Sequence, residues 1–129
     1  MIAKTIKSIL AGNVALTTLV PATRIFPLFI NENTPLPSIV YSIESVSPEY
    51  NKGGWANDDI GFSVVSVSKD YTQLQTIAMA VRTALELNRT GSGSQSIGNI
   101  YMISMEEGYI LEADAFFNKL NFKVITNKY

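Results

Sequence analysis

The sequence predicts an α+β fold: a single, mainly antiparallel, twisted sheet with two principal helices packed on it, in the order α-β-β-β-α-β-β. Three observations predict it. Apolar residues recur at helical spacing over residues 2–10 and again over 71–85. Between and after these stretches lie strand-length segments with period-two patterning. Neighbouring strand segments are joined by links of hairpin length, which favours antiparallel pairs, and the helices need a sheet face to cover.

Each element has its own justification. Ile2, Ile6, Ile9 and Leu10 share one face of the first helix, with Lys4, Lys7 and Ser8 on the other. Gly12 ends it, Asn13 caps a short second helical turn through Leu19, and Pro21 stops that turn. Residues 24–30 form a short strand. Pro27 lies inside it and cannot donate to a ladder, so this is an edge strand or is broken there. Residues 31–37 are a loop, and Leu36-Pro37 gives the next strand a stiff, extended start. Ile39, Tyr41 and Ile43 then face one way and Ser38, Ser42 and Glu44 the other, with Val40 and Val46 interrupting the polar side. SPEYNKGGWAND, residues 47–58, is rich in turn residues and reads as a loop between two strands. Ile60, Phe62 and Val64 alternate, after which the apolar parity switches to Val65 and Val67. Such a switch means a bulge or a strand end buried on both faces.

Asp70 caps the strongest helix, and Gln73 three residues on completes a capping-box pattern. Its apolar stripe is Tyr71, Leu74, Ile77, Ala78, Val81, Ala84 and Leu85. Gln75, Thr76, Arg82, Thr83 and Glu86 form its wet face, and the helix ends near Asn88. RTGSGSQSIG, residues 89–98, is a flexible Gly/Ser loop. Residues 100–105 form a strand with Tyr101, Ile103 and Met105 on one face. Residues 116–126 form the last strand, with Leu120, Phe122 and Val124 on one face and Lys119, Asn121 and Lys123 opposite. The acidic stretch 106–114 connects the two. No repeat or boundary interrupts the pattern, so residues 1–129 read as a single domain.

Composition narrows the function classes. With 129 residues, 47% apolar and 16% charged, the chain suits a packed core rather than a disordered tail. A chain of this length buries roughly two thirds of its unfolded surface. The absence of cysteine removes disulfides, thiolate metal sites and cysteine nucleophiles. The absence of histidine removes the usual neutral-pH base and the commonest transition-metal ligand. The formal net charge of −1 argues against a nucleic-acid binder held by clustered Lys and Arg. Charge is nonetheless uneven. Residues 1–30 carry Lys4, Lys7 and Arg24 without an acid, whereas residues 31–60 carry Glu32, Glu44, Glu49, Asp58 and Asp59 against Lys52 alone. Opposite charge on different parts of a surface can set head-to-tail contacts between copies, although ordinary scatter gives the same numbers. No apolar run approaches the roughly 20 residues of a membrane helix. Lys4 and Lys7 break up the amphipathic N-terminus before a signal-peptide core can build, so synthesis in the cytosol is expected.

The motifs that carry chemistry are weak. GSGSQSIG lacks the Lys-Ser/Thr ending of a phosphate loop and runs helix–loop–strand, the reverse of the order that aims a helix at phosphate. Asp58-Asp59 and Glu106-Glu107 are adjacent carboxylates that point to opposite faces of a strand, so neither pair makes a site alone. They read as solvated loop and edge charges. Serines and threonines have no histidine to activate them. Trp55, the only tryptophan, sits in GGWAND, where it is either an exposed interface anchor or folded back on its own sheet. The residues thus favour a binding or structural module over an enzyme, with no cofactor and no metal.

After the N-terminal helix come, in order, the motifs Arg24-Ile25-Phe26-Pro27, Leu36-Pro37-Ser38-Ile39-Val40-Tyr41, Lys69-Asp70-Tyr71 and Ala80-Val81-Arg82-Thr83-Ala84-Leu85, followed by a Gly/Ser loop and two strands. In that order and spacing the chain resembles the small tail-completion proteins of long-tailed bacteriophages, also called tail terminators or tail-to-head joining proteins. The resemblance implies a non-enzymatic virion protein, made in the host cytoplasm and placed at the head-proximal end of the tail. It implies a six-fold homo-oligomeric ring that ends tail-tube polymerisation and docks the head connector. Its partners would be copies of itself, the tail tube protein and the connector, with DNA only passing through the lumen and no membrane involved. The isolated subunit can be monomeric, because each contact of a closed ring is modest in area. On this reading the strands over residues 39–47 and 60–68 project as an arm. Its tip, with Tyr50, Trp55, Asp58 and Asp59, is the candidate contact with a neighbouring subunit or the tube. Pro27 and Leu36-Pro37 limit where strand edges are open. Competing readings are a head-side connector or stopper, a tail-tube relative, or a small cytosolic ligand-binding or enzyme domain, which would need a concave pocket.

Overall fold

The computed structural model describes residues 2–28, 35–51, 54–86, 100–112 and 114–126. The chain runs α1 (Ile2–Ala11), α2 (Val14–Leu19), a 3-10 turn (Ala22–Arg24), β1 (Ile25–Pro27), β2 (Ser38–Asn51), β3 (Gly54–Ser68), α3 (Tyr71–Leu85), β4 (Tyr101–Ile110) and β5 (Ala115–Thr126). The five strands form one sheet in the order β1-β2-β3-β5-β4. The class and element order are those predicted, with the sheet mixed rather than wholly antiparallel: β1 lies parallel to β2, and the other pairs are antiparallel. In that parallel pair Ile25 lies against Ile39 and Pro27 against Tyr41. The Leu36-Pro37 peptide ahead of β2 is cis. The expected Gly/Ser loop over residues 89–98 lies outside the described residues, as does most of the loop over residues 31–37.

Local signals account for the helices. Asn13 Oδ1 accepts the Leu16 N–H at 3.0 Å and starts α2. Asp70 Oδ1 accepts the Thr72 N–H at 3.1 Å and starts α3. The capping box of α3 closes through a third residue: the Asp70 N–H donates to Ser68 Oγ at 3.2 Å, and that hydroxyl donates to Gln73 Oε1 at 2.7 Å. A cap contributes about 1 kcal/mol. The buried face of α3, made of Leu74, Ile77, Ala78, Val81, Ala84 and Leu85, contributes more, at roughly 1.5–3 kcal/mol for each large side chain. Packing on the sheet, not propensity, therefore holds this helix. Tyr71, expected in that stripe, is 42% exposed and sets its ring edge-on to Phe116 at 5.5 Å.

One face of the sheet makes the core. Directly opposed residues share a face, and Ile39, Tyr41, Phe62, Val64, Leu120, Phe122 and Val124 all point towards Ile6, Leu10, Leu16, Ile77, Val81 and Leu85. Phe62 and Phe122 stack at the centre, with ring centroids 5.3 Å apart. The parity switch near Val65 is not a bulge. Val64 and Val67 are both buried on opposite faces, so this end of β3 is covered on both sides. The bulges fall elsewhere, in β2 after Ile43, in β3 between Trp55 and Asn57, and in β4 after Met102.

Four expectations are corrected. β1 is shorter than residues 24–30: it stops at Pro27, and Leu28 takes φ 69°, turning the chain away. Pro27 does sit on an edge strand, as expected. Residues 47–58 are not a loop, because β2 and β3 keep pairing up to Asn51 opposite Gly54, turn-prone residues included. Residues 106–110 are not a connector but the second half of β4. There Glu106 lies opposite Lys119, and Gly108 lacks a side chain where the Phe117 ring crosses. A Cβ at Gly108 would stand 2.5 Å from that ring, which is why this position suits glycine. The β4 bulge also places Tyr101 and Met105 on different faces, since Tyr101 opposes Lys123 and Met105 opposes Leu120.

Candidate protein–protein interface

The hairpin of β2 and β3 is not a free arm: β3 is paired on both sides over most of its length, whereas β2 beyond residue 41 is paired to β3 alone. β5 accompanies β3 as far as Asp58, which faces Thr126, and β1 covers β2 only at residues 39–41. Among the described residues, the hairpin end, residues 49–51 and 54–57, runs past the end of β5. Tyr50 stands there at 72% exposure, with its backbone paired to Trp55. The extra residue of a bulge separates the Glu49–Asn57 pair from the Tyr50–Trp55 pair, which locally increases strand twist.

The two candidate carboxylates part company at the hairpin base. Asp58 is only 6% exposed and lies on the helix-covered side of the sheet, in phase with Ile60. It is therefore not a solvated loop charge. Asp59 points to the other face and pairs with Lys123 at 2.9 Å. The hydrogen bond and charge of Asp59 raise the Lys123 pKa, in keeping with an ion pair in place. The structure thus brings Tyr50 and Trp55 together on one hairpin end, with Asp59 behind them on one face and Asp58 buried on the other.

The face of Asp59 carries a polar row that continues the expected polar sides of β2 and β5 across β3 and β4. Ser42, Ser63, Asn121 and Ser104 stand in register across β2, β3, β5 and β4. Ser63 Oγ lies 3.1 Å from Ser42 Oγ and donates to Glu44 Oε1 at 2.6 Å, while Asn121 Nδ2 donates to Ser104 Oγ at 3.0 Å. Lys119 stands 3.7 Å from Glu44. The Ser63 hydroxyl, more than Lys119, holds the Glu44 carboxyl below its ordinary pKa. These contacts tie neighbouring strands together across one face of the sheet. Among the described residues no three His, Cys, Asp or Glu side chains gather as a metal site needs, and no helix is long and apolar enough to cross a membrane.

A second surface is one the sequence reading missed. β4 is the far edge of the sheet, and Tyr101, Ile103, Met105, Tyr109 and Leu111 along it are exposed at 52%, 62%, 51%, 47% and 83%. The available signal was the apolar residue at nearly every second position from 101 to 111. The acidic pair Glu106-Glu107 hid it by making the second half look like a connector.

Comparison with known proteins bears on what such surfaces are for. Among solved structures, a chain from the virion of a native gene transfer agent particle superposes with a TM-score of 0.79, covering 94% of this chain and 90% of that one. Identity is 17%, so the likeness is one of fold. A search of curated proteins finds no match. The profile of the family described as tail completion protein gp17 matches residues 4–125. A match over that span reaches every strand and helix described above, and the chain belongs to the tail completion protein gp17 family of bacteriophage virion structural proteins.

Proposed function

We propose that the protein, acting as one domain over residues 1–129, forms a six-fold ring at the head-proximal end of the tail tube. There it ends tube polymerisation and docks the head connector. The family match over residues 4–125 carries this reading. The protein works by contact, without catalysis, cofactor or metal. It assembles in the host cytoplasm, and DNA passes through the lumen without being read. A near-neutral chain suits passage better than grip. Tyr50 and Trp55 at the hairpin end, with Asp59 at its base, touch a neighbouring subunit or the tube, and buried Asp58 holds the base from the other face.

The test is electron microscopy of lysates from which the gene is deleted, with and without a complementing wild-type copy. Overlong or unjoined tails beside full heads are expected. Normal virions would overturn the terminator role.

A further inference from the structure

The short β1 end of the sheet and its β4 edge carry opposite charge, while the β2 edge beyond β1 carries Glu44 and Glu49. At the β1 end, Lys7 Nζ donates to the carbonyls of Ala22 at 2.9 Å and Ile25 at 2.8 Å, which holds α1 against β1. Lys4 lies one turn earlier on α1 and Arg24 immediately precedes β1. Neither side chain has an ion-pair partner among the described residues, and residues 1–30 hold no acid. Leu28 stands exposed at the tip of β1. At the opposite end, residues 101–114 carry Glu106, Glu107, Glu112 and Asp114 and no Lys or Arg, with Lys119 of β5 standing opposite Glu106. That acid borders the apolar row of Ile103, Met105 and Leu111, an edge strand open to pairing or burial.

We propose that these ends dock on each other in successive copies of this chain, the β4 edge of one subunit against the α1–β1 end of the next. The inference rests on the ring reading above and supplies its subunit contact. Two features select this occupant. Basic and acidic groups meet across the contact, which steers encounter and fixes orientation. The alternative of two β4 edges pairing with each other sets Glu106, Glu107 and Glu112 of both copies side by side, and juxtaposed like charges oppose it. The contact is also heterologous, joining different surfaces of one chain, which is the type that closes rings when the rotation allows.

The chain lacks cysteine, so introduced thiols report cleanly. The two ends are separated by four strand spacings, about 19 Å, too far for a short cross-link within one subunit. Particles assembled with an Arg24→Cys/Glu106→Cys variant are treated with a short bis-maleimide and resolved by mass under denaturing conditions. The double variant is expected to give a ladder of covalent multimers and each single variant none. Dimers from Glu106→Cys alone, or no ladder from a double variant present in the particles, would overturn the contact. The top of the ladder tests the ring separately. A ladder that does not end at six refutes six-fold closure while supporting the contact, and a six-fold ring without the link refutes the contact alone. A charge swap covers a cysteine variant that fails to assemble. Glu106→Lys and Arg24→Glu are each expected to lower particle yield roughly tenfold and to recover it in combination. A combined variant no better than the worse single one would overturn the proposal.

Discussion

Replacing Lys7 with methionine isolates the link between α1 and the β1 edge. Methionine keeps most of the apolar stem but removes the two hydrogen bonds from the ammonium to the Ala22 and Ile25 carbonyls. A hydrogen bond to a charged group contributes about 1.5–3 kcal/mol when buried. Lys7 is half-buried, and burial lowers its pKa, so part of each bond's strength is offset by desolvation and water can replace part of what is lost. Lys7→Met should therefore cost about 1–3 kcal/mol for the pair. In urea, with a slope of about 2 kcal/mol per molar, the unfolding midpoint should fall by roughly 0.5–1.5 M. The loss should also be local. The Leu28 N–H, bonded to the Tyr41 carbonyl at 2.9 Å, should exchange faster with solvent, while amides in β3 and β5 change only with global stability. A midpoint within about 0.2 M of wild type, or exchange that rises equally everywhere, would refute the role assigned to Lys7.

Phe62→Ala should cost about 3–5 kcal/mol, because the ring is buried and stacked on Phe122. A double-mutant cycle with Phe122 should leave a coupling of about 0.5–1.5 kcal/mol, and additive urea midpoints would contradict the stack. Leu28→Gly should raise the melting temperature of the free protein slightly, since φ 69° strains leucine and the exposed side chain packs little. A lowered temperature would show that Leu28 is held by contacts outweighing that strain. Glu44 has a lowered folded-state pKa, so its stabilisation is present above the ordinary carboxylate range and is lost as pH falls through the folded value. Wild type should accordingly lose its advantage over Glu44→Gln on acidification, and a gap that widens on acidification would contradict the Ser63 bond. Trp55→Ala should impair ring formation and tail joining, and unchanged assembly of both would remove the hairpin end from the interface.

Much of the fold was legible where one side chain decides local structure. Asn13 and Asp70 mark helix starts because their short carboxamide and carboxylate groups satisfy free N–H groups there. Pro27 marks an edge because it has no N–H to give. The alternation of Leu120, Phe122 and Val124 marks a buried sheet face. Legibility failed where long-range pairing overrode composition. Residues 47–58 look like a loop, but the ladder begun by Ile39 and Val64 carries them on as strands. Glu106 and Glu107 look like a connector, but the register set by Leu120 and Phe122 extends through them, and glycine at 108 makes room for Phe117. The candidate site was half legible. The exposure of Tyr50 follows from its place at the hairpin end, whereas the burial of Asp58 depends on β5 arriving from far along the chain.

The central claim is that copies of this chain close a ring where the tail meets the head. Electron cryo-microscopy of purified tails, with this protein tagged and the head-proximal end averaged separately, tests it directly. A single ring of six copies capping the tube is the predicted result. Tag density along the tube, on the head side of the joint, or in a stoichiometry that does not close would contradict it.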